Sequence, residues 1–311
     1  MNTLVLLGSV ELGIIYAVMA LGVFISFRTL NMPDLTVDGS FVLGAAVSAV
    51  MCSSGHPQAA LAVAFIAGCM AGCVTALLHT KLNIQPLLAG ILVMLGLWSI
   101  NLRVMGKANI PLINKTTVFN LLDGTAIEAY ATMIIPVAII IILMLLLYYF
   151  LKTELGLVIR ATGDNEQMVR ALGVNTDSTI LTGLALANGL VALSGALIAQ
   201  YQSFADITMG TGMVIIGLAS VIIGEVIFGI KSLMRRLIAV VLGAMLYRLV
   251  IAAAYELGMP TNDFKLVSAI IVALALAMPI IKERFIIWKK RKQNNSHRGE
   301  VRKSAENRND N

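Results

Sequence analysis

Two stretches of this chain carry side chains with chemistry to offer, and both interrupt long apolar runs. The first is GLVIRATGDNEQMVRALGVN, Gly156 to Asn175, which follows the uncharged run AYATMIIPVAIIIILMLLLYYFL, Ala129 to Leu151. With the residues just before it, it brings together Lys152, Glu154, Arg160, Asp164, Glu166 and Arg170. The second is RTLNMPDLTVDGSF, Arg28 to Phe41. There Pro33 breaks helical continuity, and Asp34 and Asp38 are costly in hydrocarbon. Neither stretch has the makings of an active site. His56, His79 and His297 are scattered, so no metal is expected. Cys69 and Cys73 share a helix face at i, i+4 with no His or carboxylate at ligand spacing; with Cys52 they read as small packing residues. The sequence holds no G-x4-G-K-[ST] motif, no H-E-x-x-H and no Ser/His arrangement. The chain is therefore expected not to be an enzyme, and any energy it uses comes from another polypeptide or from an ion gradient.

The surroundings of these stretches are read from composition. Of 311 residues, 58% are hydrophobic and 13% charged, against about 25% charged in soluble domains. A helix of about 20 apolar residues crosses about 30 Å of hydrocarbon. On that measure nine spans are expected, near 3–27, 37–54, 59–80, 86–103, 129–151, 179–201, 210–230, 233–255 and 264–281. The fold class is an all-α polytopic membrane protein with about nine transmembrane helices (eight to ten). The first span has no basic segment before it and contains Glu11, so it reads as a true span and not a cleaved signal peptide. Residues 1–281 form the membrane domain. The remaining 282–311, which include KKRKQNNSHRGEVRKSAENRNDN, lack apolar periodicity and read as a basic, disordered tail facing anionic lipid, not nucleic acid.

Basic residues in loops report orientation. With the tail inside, the inner side holds Arg28, Lys81, Lys152, Arg160, Arg170, Lys231, Arg235, Arg236 and the ten basic residues from Lys282 onward. The outer side holds only Arg103, Lys107, Lys115 and Lys265. The amino terminus is expected outside and the first polar stretch in the cytoplasm, as a loop over 152–178. Within it, NEQMVRALGV predicts a short amphipathic helix with Met168, Val169 and Leu172 on one side. Asp164 or Asn165 serves as N-cap, Glu166 sits in the first turn and Gly173 is the C-cap. Such a helix either docks on a partner or lies along its own bundle.

Here the residues resemble a known family. Gly156-x3-Arg160-Ala161-x-Gly163-x-Asn165, followed by Ala171-Leu172-Gly173-Val174, looks like the coupling loop of permeases of ATP-binding-cassette importers, of the branched-chain amino acid and ribose type. LNMPDLTVDGSFVLGAA and DNEQMVRALGVN resemble a subfamily associated with amino acid uptake, including aromatic amino acids. The likeness covers roughly residues 10 to 280. One departure is Val169, where many relatives have Ala. The resemblance implies two ATPase subunits that carry ATP and Mg, a second permease copy in a homodimer, and an external solute-binding protein or lipoprotein. It places the chain in the bacterial cytoplasmic membrane, with no cofactor of its own. Arg160, Gly163, Asp164, Asn165, Glu166, Arg170, Leu172 and Gly173 are then the ATPase-coupling residues. The solute moved inward would be an amino acid, aromatic by the subfamily.

The stretch Arg28–Phe41 has two readings. It is a turn whose Asp34 or Thr36 caps the second span, or it belongs to a broken second span that lines the translocation path. The resemblance favours the second, with Asn31, Thr36, Asp38 and Ser40 as lining residues. Of the other ionisable groups within spans, Glu225 is the candidate for a gate near the inner end. Its depth differs from that of Arg248 by about 9 Å at 1.5 Å per residue, so the two pair only with tilt. Glu11 by itself gives thin support to the alternative, an ion-gradient-driven secondary transporter of a small polar solute, and no internal repeat accompanies it. The threading is checked in sealed right-side-out vesicles after Cys52, Cys69 and Cys73 are replaced by Ala. Asn2→Cys should react with an impermeant thiol reagent and Ser304→Cys should not; the opposite pattern inverts the topology.

Overall fold

The computed structural model describes residues 3–124 and 130–256, with isolated positions from 258 to 277. The expected ninth span, 264–281, and the basic tail lie almost wholly outside the described residues. Ten α-helices account for most of the rest: α1 (Thr3–Val23), α2 (Thr36–Ser53), α3 (Pro57–Leu82), α4 (Pro86–Met105), α5 (Ala131–Phe150), α6 (Glu154–Asp164), α7 (Glu166–Ala171), α8 (Thr176–Gln202), α9 (Met213–Phe228) and α10 (Leu233–Glu256). Among the described residues seven helices are long and apolar enough to cross a membrane, and α9, with 16 residues, is a shorter apolar one. The class is therefore as expected, while the count of nine is not reached within the described residues. Two three-residue strands, β1 (Asn109–Pro111) and β2 (Phe204–Asp206), pair antiparallel with Ile110 opposite Ala205. No hydropathy pattern announces them, because each is too short to show an alternation and its partner lies far along the chain.

Local signals place the helix ends. Pro57 and Pro86 open α3 and α4, where their missing N–H has no partner to lose. The loop between these helices turns at Asn83 in the left-handed conformation. Helices α1, α2 and α8 form the centre, where Ile15, Met19, Phe41, Leu184 and Leu197 are fully buried. Helices α3, α4 and α5 present Met70, Leu92, Leu95, Ile142 and Leu146 outward, the surface a helix offers to lipid.

Hydrocarbon outside the bundle is as apolar as leucine, so close packing has to hold the helices together. Glycine provides it. A Cβ on Gly44 would overlap the Ala192 carbonyl, one on Gly68 the Asn188 carbonyl and one on Gly72 the Leu184 carbonyl. Helix α8 thus lies against the bare backbone of both α2 and α3. The irregular backbone expected in the second span sits before α2, which is continuous. After Val23, α1 widens into a π-type turn, Phe24–Thr29, and the chain then runs without helix from Leu30 to Leu35. Gly44→Val should destabilise the bundle by about 3 kcal/mol, read as a lower midpoint in detergent-titrated unfolding. Gly96→Val, where nothing lies within 4 Å, should leave the midpoint unchanged.

Candidate functional site

The polar loop builds two helices where one is expected. Thr153 caps α6 by accepting from the Gly156 amide at 3.3 Å. Gly156 lies against the backbone of Phe150 and Leu151, and Gly163 against the Thr29 carbonyl and Leu30. Ile159 is buried, and the Thr162 and Thr179 hydroxyls meet at 3.1 Å. These contacts bind α6 to the bundle. The chain then turns sharply at Asn165, which is extended and whose side chain accepts from the Met168 amide at 3.0 Å. Of the two expected caps, Asn165 caps α7 and Asp164 closes α6. Gly173, at φ 84°, ends the loop in the left-handed region, where a side chain would be strained.

Helix α7 divides its apolar residues. Val169 is buried, whereas Met168 and Leu172 are 52% and 73% exposed. Its charges, although exposed, bond to one another and to the start of α8. Arg170 Nη2 donates to Glu166 Oε1 at 2.9 Å and to Thr176 Oγ1 at 2.8 Å, and reaches Asp177 Oδ1 at 3.4 Å. Asp177 Oδ2 in turn takes Lys81 Nζ, from the end of α3, at 2.9 Å. The expected coupling residues therefore separate by role. Arg170 and Glu166 brace the loop against α8 and, through Asp177, against α3; Gly163 and Gly173 shape it; Arg160, Asp164 and Leu172 are exposed.

The residues expected to line a path also separate. Thr36 is buried, with its Oγ1 2.7 Å from that of Thr75. Ser40 is buried and donates to Asn188 Oδ1 at 2.7 Å. Asn31, at φ 54°, is exposed near the α6–α7 end. Asp38 reaches 174 positions along the chain: it accepts the Gly212 amide at 2.9 Å and the Val214 amide at 2.8 Å, and so caps α9. Asp38 also borders a cavity of about 210 Å³ with Met94, Trp98 and Asn101. The loop that brings Gly212 there is pinned at its start by Asp206. Its carboxyl is held below the usual range first by the Thr208 hydroxyl, then by the Thr208 amide and Asn109.

Three polar residues outside the expected set organise this region. Asp34 Oδ1 accepts the Thr36 amide at 2.8 Å, and Asp34 Oδ2 accepts from Asn188 Nδ2 at 2.7 Å. Asn101 Nδ2 donates to the Gly39 carbonyl at 3.1 Å. Asn188 and Asn101 could have been found as lone amides inside apolar helices, an arrangement that membrane helices carry only with partners. Glu225 is buried and pairs with Arg28 at 2.7 Å. Arg248 stacks on the Tyr16 ring at 4.0 Å instead of reaching Glu225. Glu11 accepts from Thr132 and Tyr201, both at 2.8 Å.

Residues 5–276 match the family described as branched-chain amino acid transport system / permease component. The chain belongs to that family. It is a transmembrane permease of the ATP-binding-cassette type, and such subunits are not enzymes. The tyrosine transport system permease protein of Clostridioides difficile is 42% identical over 265 residues, 85% of this chain and 88% of that one. The ribose import permease protein RbsC of Escherichia coli K12 is 26% identical over 84% of this chain and 80% of its own. The probable branched-chain amino acid transport permease protein LivH of Methanocaldococcus jannaschii is 23% identical over 93% and 95%. No solved structure gives a significant match. Membership displaces the ion-gradient alternative. In this permease, Asp38→Ala leaves the first amides of α9 without their acceptor, a loss of about 1.4 kcal/mol. Hydrogen exchange at Gly212 and Val214 should quicken about tenfold while α8 amides stay protected.

Proposed function

We propose that this permease is the membrane subunit of an importer that moves an amino acid, aromatic by preference, inward by alternating access. Two copies form a homodimer, two separate ATPase subunits dock on the α6–α7 loops, and an external solute-binding protein or lipoprotein delivers the substrate. The observation that carries the coupling role is the division of α7. Its charged side chains are paired with one another and with the start of α8, while Met168 and Leu172 are exposed with no such partners. An exposed apolar pair on a braced helix suits a groove on another protein, where a few buried contacts hold most of the energy. Arg28, Lys81, Lys152, Arg160 and Arg170 gather at this same end of the bundle, which supports placing it in the cytoplasm of a bacterial inner membrane.

The amino acid substrate is supported by the names of the relatives, which include a tyrosine and a branched-chain amino acid permease as well as a ribose one. Closure of the ATPases around ATP would move α7, and with it α6, whose Gly163 lies on Thr29 and Leu30. That is where the chain leaves α1 toward Asp34 and Asp38. Glu225, clasped by Arg28 beside the same turn, would then act as a gate between rigid-body states.

Leu172→Ala should weaken ATPase capture about thirtyfold, a loss of about 2 kcal/mol, with normal permease levels in the membrane. Arg170→Glu sets a third acid beside Glu166 and Asp177 and should free α7 from its brace, leaving ATP hydrolysis uncoupled from uptake. Wild-type ATPase capture and uptake in the double variant Arg170→Glu, Leu172→Ala would overturn the coupling role.

A further inference from the structure

A groove of about 430 Å³ runs between the π-type turn that ends α1 and one side of α9. Leu218, Ile222 and Val226, spaced four residues apart, are half-buried and form its α9 wall, and Phe27 and Ile230 line it as well. At 1.5 Å per residue that wall extends about 12 Å, from the Arg28–Glu225 pair toward the middle of the membrane. Among the described residues, Arg28 and Glu225 are the polar ones that line the groove.

The two are not equally open to a ligand. Arg28 Nε and Nη2 both meet Glu225 Oε2 at 2.7 Å. Glu225 Oε1 is buried. The Arg28 side chain, by contrast, is 54% exposed. A guanidinium has five N–H groups, so three remain, two of them side by side on the Nη1–Nη2 edge. That edge matches two oxygens of a phosphate. The pair itself is neutral, but beyond Ile230 the chain goes on to Lys231, Arg235 and Arg236. None of the three has an ion-pair partner among the described residues. Helix α10 also begins with no acid in its first turn, so its positive end adds to the same field.

The groove therefore combines a long apolar wall with a basic rim. A soluble anion has no use for the wall, and a zwitterionic lipid brings its own cation to the rim. A phospholipid with a net negative head group complements both parts. We propose that this groove is a binding site for an anionic phospholipid. Its phosphate takes the Nη1–Nη2 edge of Arg28, and an acyl chain lies along Leu218, Ile222 and Val226. Arg28 then bridges the lipid and Glu225, so the lipid holds the end of α1 against α9. The site is separate from the α6–α7 loop, and its occupancy does not depend on which solute the permease moves.

The sequence has two tryptophans, so Phe27→Trp combined with Trp98→Phe and Trp288→Phe leaves one indole, on the groove. The full chain in this background is reconstituted in phosphatidylcholine bilayers with rising fractions of a dibrominated lipid, whose bromines quench an indole on contact. Dibrominated phosphatidylglycerol should bind at least fivefold more tightly than dibrominated phosphatidylcholine. Arg28→Gln should bring that ratio to about one. Glu225→Gln, which removes the ion pair but keeps the guanidinium, should leave it unchanged or raise it. Equal loss in both variants would reduce Arg28 to a clamp on α9 and overturn the proposal. A ratio that survives Arg28→Gln would overturn it in favour of a diffuse attraction by the basic loop. Weak quenching by both lipids would mean that a second copy of the chain covers the groove, and would overturn it as well. Inorganic phosphate at tens of millimolar should relieve the quenching no more than sodium chloride of equal ionic strength; greater relief would assign the site to a soluble anion and overturn the lipid.

Discussion

Asp34 lies buried inside the bundle with its oxygens shared between the Thr36 amide and the Asn188 side chain. In hydrocarbon a carboxylate without such partners would cost several kcal/mol. The partners must therefore come from elements that approach closely and stay in register. Asn188 sits on α8 and meets Ser40 of α2 with its other amide atom. Three separate stretches, the non-helical Leu30–Leu35, α2 and α8, are bound by one amide side chain. The glycines of α2 and α3 serve the same requirement. Without Gly44 and Gly68 against its carbonyls, α8 would stand too far away for its polar groups to reach.

The same constraint explains the short α9. A helix that begins within the protein leaves amides that neither water nor lipid can satisfy. Asp38 meets them from the first turn of α2, and the loop anchored at Asp206 brings the chain back to it. Pairing a carboxylate with a helix amino end settles two costly groups at once, since the charge and the end dipole oppose each other. Irregular backbone is thereby tolerated at depth, and beside it a largely apolar cavity remains open.

From there a packed route runs to the α6–α7 end. Gly163 of α6 touches Thr29 and Leu30, and Leu30 also lies against Gly183 of α8. Lys81, Asp177 and Arg170 join the end of α3, the start of α8 and α7 in a second line of contacts. These exposed ion pairs are each weak in water. Their value lies in geometry, because they fix the direction in which Met168 and Leu172 are presented.

Apolar runs longer than a bilayer core settled the all-α membrane class, since hydropathy acts locally and needs no partner. Helix α7 of the loop was legible too, since an Asn before a first-turn Glu and a Gly after Leu172 specify helix ends by nearby bonds alone. Helix α6, which is held by contacts with Thr29, Leu30 and Thr179, was not. The sequence also marked Asp34 and Asp38 as too costly to be idle. It left open which groups would meet them, and Asn188 and Gly212 lie more than 150 positions away. That choice rests on how the helices approach one another, as does the pairing of Arg170 with Thr176 and Asp177 of α8 while Leu172 stays exposed. Whether Thr36, Ser40 and Asn101 have a free atom depends on neighbours supplied by other helices. Thr75 and Asn188 occupy the first two, while the Asn101 oxygen is buried between packed helices with no partner among the described residues.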